Sequence, residues 1–268
     1  MGKYFTFFTY PDNLPIECMK NKIIVLPNLH VKRSLLIVGS VSILFLLFLI
    51  SLSGLLSTRI FGDVGKLNAT KFFTSRILYW ICLLLLWLYA VKIEKQKLLI
   101  WPEKKYQVST YLSSGFLIFA VLFAGGFIIS IILSLAGFNK NSEQMSEIIT
   151  ILSGNKLLLF FTVITAGVVE ELIFRGYLMP RFEIIFKNPY WAIAISSLLF
   201  GLLHYKYGTV LNVVGPVFIG FVFGYYYWRY RNIKVIIVCH ILWDLVAISV
   251  SIVSRSHALH NHVQATFF

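Results

Sequence analysis

Five acidic or histidine side chains stand inside otherwise apolar stretches of this 268-residue chain: Glu170, Glu171, His204, His240 and Asp244. An ionisable group in mid-membrane costs roughly 2.5–3.5 kcal/mol on insertion scales, so five of them within one C-terminal half call for a reason. They fall into three short patterns. In Glu170-Glu171-Leu172-Ile173-Phe174-Arg175, adjacent helical positions point about 100° apart, so the two carboxylates cannot share a face. Glu171 and Arg175, at i and i+4, can pair, which frees Glu170. In Phe200-Gly201-Leu202-Leu203-His204 the ring and the imidazole lie one turn apart, an aromatic wall beside a base. In His240-Ile241-Leu242-Trp243-Asp244 the spacing repeats, and Asp244 can accept a hydrogen bond from His240 and fix its tautomer. Each pattern alone also has a plainer reading: an interfacial Glu–Arg pair, an interface histidine beside Tyr205 and Lys206, and a buried pair that settles helix packing.

The elements that must position these groups are membrane helices. The chain is 58% hydrophobic and 13% charged, with a mean hydropathy of +0.81, which excludes an ordinary water-soluble domain. Its 24 Phe, 14 Tyr and 6 Trp exclude a disordered chain. Apolar runs occur at 34–57 and at about 72–91, 110–136, 157–179, 190–204, 210–228 and 235–253. Most approach the roughly 20 residues that cross a bilayer as helix. The fold expected is all-α, a polytopic transmembrane bundle of about seven or eight spans, because continuous apolar runs lack the alternation of a β-barrel. The first run is too long for a secretory signal and reads as a retained anchor. Met1-Gly2 with Thr6 matches an N-myristoylation pattern, a chance match in a chain with so many spans. Three cysteines, Cys18, Cys82 and Cys239, make neither a disulfide framework nor a four-thiolate site.

The formal charge of +13 sits beside the apolar runs rather than in a nucleic-acid-binding pattern, so no nucleic-acid partner is expected. Five Lys/Arg lie in the leader (Lys3, Lys20, Lys22, Lys32, Arg33) and five at 92–105 (Lys92, Lys95, Lys97, Lys104, Lys105). Three more lie at 175–187 and three at 229–234, a bias that puts the N-terminus in the cytoplasm and the C-terminus outside. The expected division is a basic cytoplasmic leader (1–33), N-terminal spans (34–150), a transmembrane core that carries the three patterns (151–254) and a tail (255–268). The other eight acidic residues fall in loops or the leader.

Taken together and in order, EELIFR, FGLLH and HILWD resemble the EExxxR, FxxxH and HxxxN/D patterns of the CPBP family of intramembrane proteases. That family includes CAAX-processing endopeptidases and bacteriocin-processing or self-immunity proteins. The likeness covers about residues 157–250. It implies a glutamate-dependent endopeptidase in which Glu170 activates water, His204 holds the other side of that water, and His240 with Asp244 faces the oxyanion. Glu171, Arg175 and Phe200 support them. The implied partners are a peptide or membrane-protein substrate, cut near the inner membrane face, and the lipid bilayer. The location is a bacterial plasma membrane.

Where many relatives carry Asn, this chain has Asp244, which serves an oxyanion only if protonated, or else orients His240 as the donor. No cofactor is expected, although Glu170, His204 and His240 would make a two-His, one-Glu zinc set. The tail residues His257, His260 and His262 read as a solvated end. At about 1.5 Å per residue, a straight fifth span lifts His204 roughly 22 Å above Pro189, too high for Glu170. Pro189, Gly215-Pro216 and the Gly220-xxx-Gly224 motif offer ways to shift these helices. Two other functions compete with proteolysis: a non-proteolytic self-immunity or scaffold protein, and a transporter relaying protons through Glu170, His204 and Asp244.

Overall fold

The computed structural model describes residues 32–65, 67–138 and 142–267, with side chains described for 32–52, 67–138 and 142–255. Lys3, Lys20, Lys22, Cys18, the Met1-Gly2 pattern and the His257, His260 and His262 side chains lie outside the described residues. Nine α-helices form among the described residues, and no strand.

Capping residues set the helix starts. Helix α1 is Arg33–Gly65. Asn68 accepts from the Lys71 N–H to open α2, Ala69–Tyr89, which runs on through a π-helical turn, Ala90–Glu94, and stops at Lys95 in left-handed conformation (φ 57°). Helix α3 is Val108–Leu135. Ser142 caps the short amphipathic α4, Glu143–Ser153, and Asn155 caps α5, Lys156–Thr165. Helix α5 continues through two π-helical segments, Ala166–Glu170 and Leu172–Leu178, into α6, Met179–Phe186. Asn188 accepts from the Tyr190 and Trp191 N–H groups and Pro189 takes the first helical position of α7, Pro189–Leu202. Helix α8 is Leu211–Tyr230, and Arg231 (φ 53°) separates it from α9, Ile233–Phe267.

Six of these helical stretches are long and apolar enough to cross a bilayer: 33–52, 69–94, 108–135, 156–186, 211–230 and 233–255. The chain is a helical membrane bundle. The fifth apolar run, 190–204, becomes α7, whose 14 residues rise only about 21 Å, short of the roughly 30 Å hydrocarbon layer. Much of the apolar surface of α1, α2 and α3, including Phe45, Leu84, Phe116 and Phe127, is exposed, as lipid-facing positions are. The α5–α6 stretch is the most enclosed of the six and carries more of the buried polar groups than any other.

At one end of the bundle, residues 95–107 form a strap tied to the helices around it. Arg181 donates to Glu94 Oε2 from Nε and Nη2 (3.0 and 2.5 Å), to Oε1 from Nε (3.2 Å) and to the carbonyls of Lys97 and Leu98, and the Tyr177 hydroxyl donates to Glu94 at 2.6 Å. Trp101 donates to Glu183 at 3.0 Å, and the Arg231 guanidinium lies 3.5 Å over the Trp101 ring. Burial pushes the Arg231 pKa down to about 10, against the opposing pull of Glu183, Tyr227 and Glu103. Glu103 accepts from the Tyr227 hydroxyl and the Ile233 N–H, each at 2.8 Å. Glu94 and Glu183, placed in loops by sequence, are thus buried helix residues with named partners.

A buried ion pair that loses one member leaves the other charge uncompensated. Glu94→Leu should therefore destabilise the detergent-solubilised protein by about 3–5 kcal/mol, measured by unfolding. Glu94→Leu combined with Arg181→Met should recover much of that loss. A single variant within about 0.5 kcal/mol of the parent would mean that the pair is open to water.

Candidate active site

The two adjacent glutamates divide as helical geometry requires. Glu171 is fully buried, and its Oε1 accepts from Arg175 Nη1 at 2.7 Å, the expected i, i+4 pair. The same oxygen accepts from His240 Nδ1, also at 2.7 Å, so one carboxylate oxygen joins α9 to the α5–α6 helix. His240 is therefore oriented by Glu171. Asp244 Oδ2 lies 3.7 Å from His240 Nε2, beyond hydrogen-bond length, which corrects the expectation that Asp244 fixes the tautomer. The reason is depth: the Glu171 carboxylate is fully enclosed, whereas the Asp244 side chain is 29% exposed and turned toward the outside of the packing.

Phe200 is the wall between the ionisable groups. The Arg175 guanidinium lies 4.5 Å from its ring centre, the His204 ring 4.8 Å and the His240 ring 6.1 Å. His204, just beyond the end of α7, donates through Nδ1 to the Phe200 carbonyl at 2.8 Å, which leaves Nε2 of a neutral ring as an acceptor. Beside it is a cavity of about 10 Å³, room for roughly one water molecule. It is lined by Glu170, His204, Tyr79, Phe200, Lys206 and Tyr207, with Phe174 and Leu203 completing the wall. Glu170 Oε2 is buried and has no hydrogen-bond partner among the described residues. Of the three groups expected to enclose one pocket, Glu170 and His204 do so. His240 stands behind Phe200 and does not line it.

Offset helix ends bring His204 to the level of Glu170. A Cβ on Gly176 would meet Ile233 Cδ1 at 3.2 Å, so the start of α9 is level with Gly176. The ten residues from there to Phe186 carry α6 about 15 Å further toward the strap end. Helix α7 sets out from that lower point, and Ser196 Oγ donates to the Phe174 carbonyl on the way up. The sequence estimate had taken the inner helix ends as flush. The cavity lies beyond Phe174 and toward the Tyr205–Tyr207 turn, at the far end of α7 from residues 187–188 and the strap.

Glycines make these approaches possible. A Cβ on Gly167 would lie 2.4 Å from Ile241 Cγ1 and 3.0 Å from the Ile241 nitrogen, so α9 packs directly on the π-helical segment before Glu170. On Gly201 it would lie 2.8 Å from the Val213 carbonyl, where α8 presses on the α7 turn that presents His204. Insertion of a fifth residue in a helical turn, as at Ala166–Glu170, often marks a functional site.

The possible zinc set of Glu170, His204 and His240 is not brought together: among the described residues no three His, Cys, Asp or Glu are grouped to hold a metal, and His240 does not line the cavity that Glu170 and His204 share. No step through a metal follows from this donor set. The residues that sequence reasoning passed over are Tyr79, Lys206 and Tyr207 on the cavity wall, and Arg76 one turn from Tyr79. A lone arginine within the 72–91 apolar run was the signal for the last.

Residues 153–246 match the family model described as type II CAAX prenyl endopeptidase Rce1-like, a stretch that contains all three motifs. The chain is 28% identical over 128 residues to a protein of Bacillus subtilis named putative membrane peptidase YdiL, covering 47% of this chain and 50% of that protein. This chain thus matches about half the length of that relative. It is also 28% identical over 246 residues to the UPF0177 protein YvdC of Lactococcus lactis, covering 86% of this chain and 87% of that one. No solved structure matches. The family likeness read from the motifs is shown by these matches, and it supports a membrane peptidase in general terms.

Because Gly167 meets backbone atoms of α9, Gly167→Val should overpack that contact and destabilise the protein by roughly 1–3 kcal/mol. Gly126, where a Cβ meets nothing within 4 Å, is the control: Gly126→Ala should leave the unfolding midpoint unchanged or slightly raised. Equal behaviour of the two variants would remove the close-packing account.

Proposed function

We propose that this chain is a membrane-embedded endopeptidase in which Glu170 and His204 activate one water molecule against a peptide bond. The observation that carries the reading is the water-sized cavity shared by the partnerless Glu170 carboxylate and the His204 ring. Glu170 takes a proton from the water while the oxygen attacks the scissile carbonyl. The C–N bond then breaks, and that proton passes to the leaving amine. His204, with Nδ1 bonded to the Phe200 carbonyl, offers Nε2 to hold the same water. A carboxylate shielded from bulk solvent is a stronger base toward water than an exposed one.

His240 and Asp244 are proposed for the oxyanion, as the motif resemblance implies. Glu171 occupies Nδ1 and leaves Nε2 for a substrate. Since Phe200 is only 2% exposed and stands between His240 and the cavity, this assignment requires its ring to turn aside as a peptide enters. If the basic strap end faces the cytoplasm, the cavity faces the outer half of the membrane. That revises the expectation of cleavage near the inner face and suits an exported peptide or the outer segment of a membrane protein as substrate.

The test is cleavage of a fluorogenic peptide library by the purified chain in lipid nanodiscs. Glu170→Gln and His204→Ala should each lower kcat/KM by about 10²–10⁴-fold, with folding intact by unfolding midpoint. Asp244→Ala should give a smaller loss, and a chelator none. Cleavage that survives Glu170→Gln overturns the mechanism, and chelator loss restored by zinc overturns its metal-free form. A cellular phenotype retained in a folded Glu170→Gln variant would point instead to immunity or scaffolding.

A further inference from the structure

Two cations outside the three motifs approach the Tyr79 wall of the cavity, Lys206 on its lining and Arg76 one turn from Tyr79, and neither has an ion-pair partner among the described residues. Arg76 lies inside the membrane-spanning stretch 69–94 and is only 6% exposed. Its one hydrogen bond runs from Nε to Ser75 Oγ at 3.3 Å, and no carboxylate stands within 4 Å of it among the described residues. Its guanidinium rests instead over the rings of Phe72 (4.8 Å) and Tyr79 (4.9 Å). Lys206 lines the cavity itself, with Nζ 5.3 Å from the Tyr207 ring centre and 5.9 Å from that of Tyr79. The two cations thus approach one ring, Tyr79, which forms the wall facing Glu170 and His204.

A buried charge is ordinarily paired, and aromatic faces compensate a guanidinium only in part. Charge balance within the protein is an incomplete answer, because the nearby carboxylate, Glu170, is the one left without a hydrogen-bond partner and makes no ion pair with either cation. The turn carrying Lys206 is held rigidly. Ser142 Oγ donates to the Tyr207 carbonyl, Asn212 Nδ2 donates to it at 3.2 Å, and Gly208 (φ 81°) closes the turn against Gln144. An ammonium and a guanidinium that both approach one ring suit a planar anion that arrives with the substrate.

We infer that Arg76 and Lys206, converging on the Tyr79 wall of the cavity, form a subsite for a carboxylate of the substrate close to the scissile bond. This rests on the proposed peptidase reading and adds to it a substrate class: peptides bearing an acidic side chain or a free C-terminal carboxylate next to the cleaved bond. Both sources present the same planar anion. Arg76 and Lys206 act on binding and register, not on the water.

The experiment uses the full chain in nanodiscs and matched peptides that differ at one position near the bond as Asp, Asn or Lys, each with a free or an amidated C-terminus. The Asp peptide, or the free C-terminus, should be cleaved with a KM at least about tenfold lower than its neutral counterpart. Which of the two matters identifies the source. Lys206→Gln should erase that preference through KM. Lys206→Glu should shift the preference toward the Lys peptide, and Arg76→Lys should keep part of what Arg76→Gln loses. A fall in kcat alone on all peptides would overturn the subsite, because it would make Lys206 part of the chemistry. Cleavage without charge preference would overturn it while leaving the peptidase reading intact. Independently of turnover, a non-cleavable peptide with a carboxylate at that position should raise the unfolding midpoint of the parent more than its amide does. Equal shifts would overturn the inference even if no peptide is cleaved.

Discussion

A single oxygen, Oε1 of Glu171, holds the polar interior together. It accepts from Arg175 on its own helix and from His240 on α9, both at 2.7 Å, in a place without bulk water to replace either donor. Buried charges are tolerable only when paired and hydrogen-bonded. This one arrangement therefore satisfies an arginine and orients an imidazole, and it leaves the adjacent Glu170 facing the other way. Phe200 completes it by stacking against Arg175 while filling the space between the two histidines. The EELIFR segment thus holds one glutamate in the buried pair and turns the other toward the cavity, distinguished only by the angle between neighbours on a helix.

Close packing lets a polar centre of this kind exist in lipid. With little hydrophobic force between helices in a bilayer, contact depends on small residues that admit a neighbouring backbone. Gly167, Gly201 and Gly220 do so at the α5–α9, α7–α8 and again α7–α8 contacts. The offset between α6 and α9 contributes as much as the contacts themselves. By descending below the start of α9 before turning into α7, the chain converts a short apolar helix into the support that lifts His204 to Glu170.

Much of this was legible in the amino-acid order. Continuous apolar runs specify helices because lipid offers no partner for an open strand edge. The i, i+4 spacing of Glu171 and Arg175 specified their pair, and Phe200 and His204 meet as their spacing required. What could not be read were relations between helices. His240 had two carboxylates within reach of an imidazole, and the sequence-near one, Asp244, gave way to Glu171, which lies 69 positions away. Glu94 and Arg181 read as loop charges because proximity to an apolar run does not reveal which face is enclosed. Arg76 and Lys206 carried no motif at all, and only their shared approach to Tyr79 connects them. Among the described residues six stretches have the length and hydropathy of a span, beside the seven or eight expected, because a run of apolar residues does not disclose that α7 rises only about 21 Å.

The strap of residues 95–107 bears on how the protein is made. Glu94 waits for Arg181, and Glu103 for Tyr227 and the Ile233 amide, groups that emerge from the ribosome about 90 to 130 positions later. Until the final helices enter the bilayer, the early ones hold acidic side chains with no counterpart. The strap then acts as a latch that late synthesis closes, so the early and late helices mature as one piece. Truncated products of interrupted translation would carry an open latch and present themselves to membrane quality control.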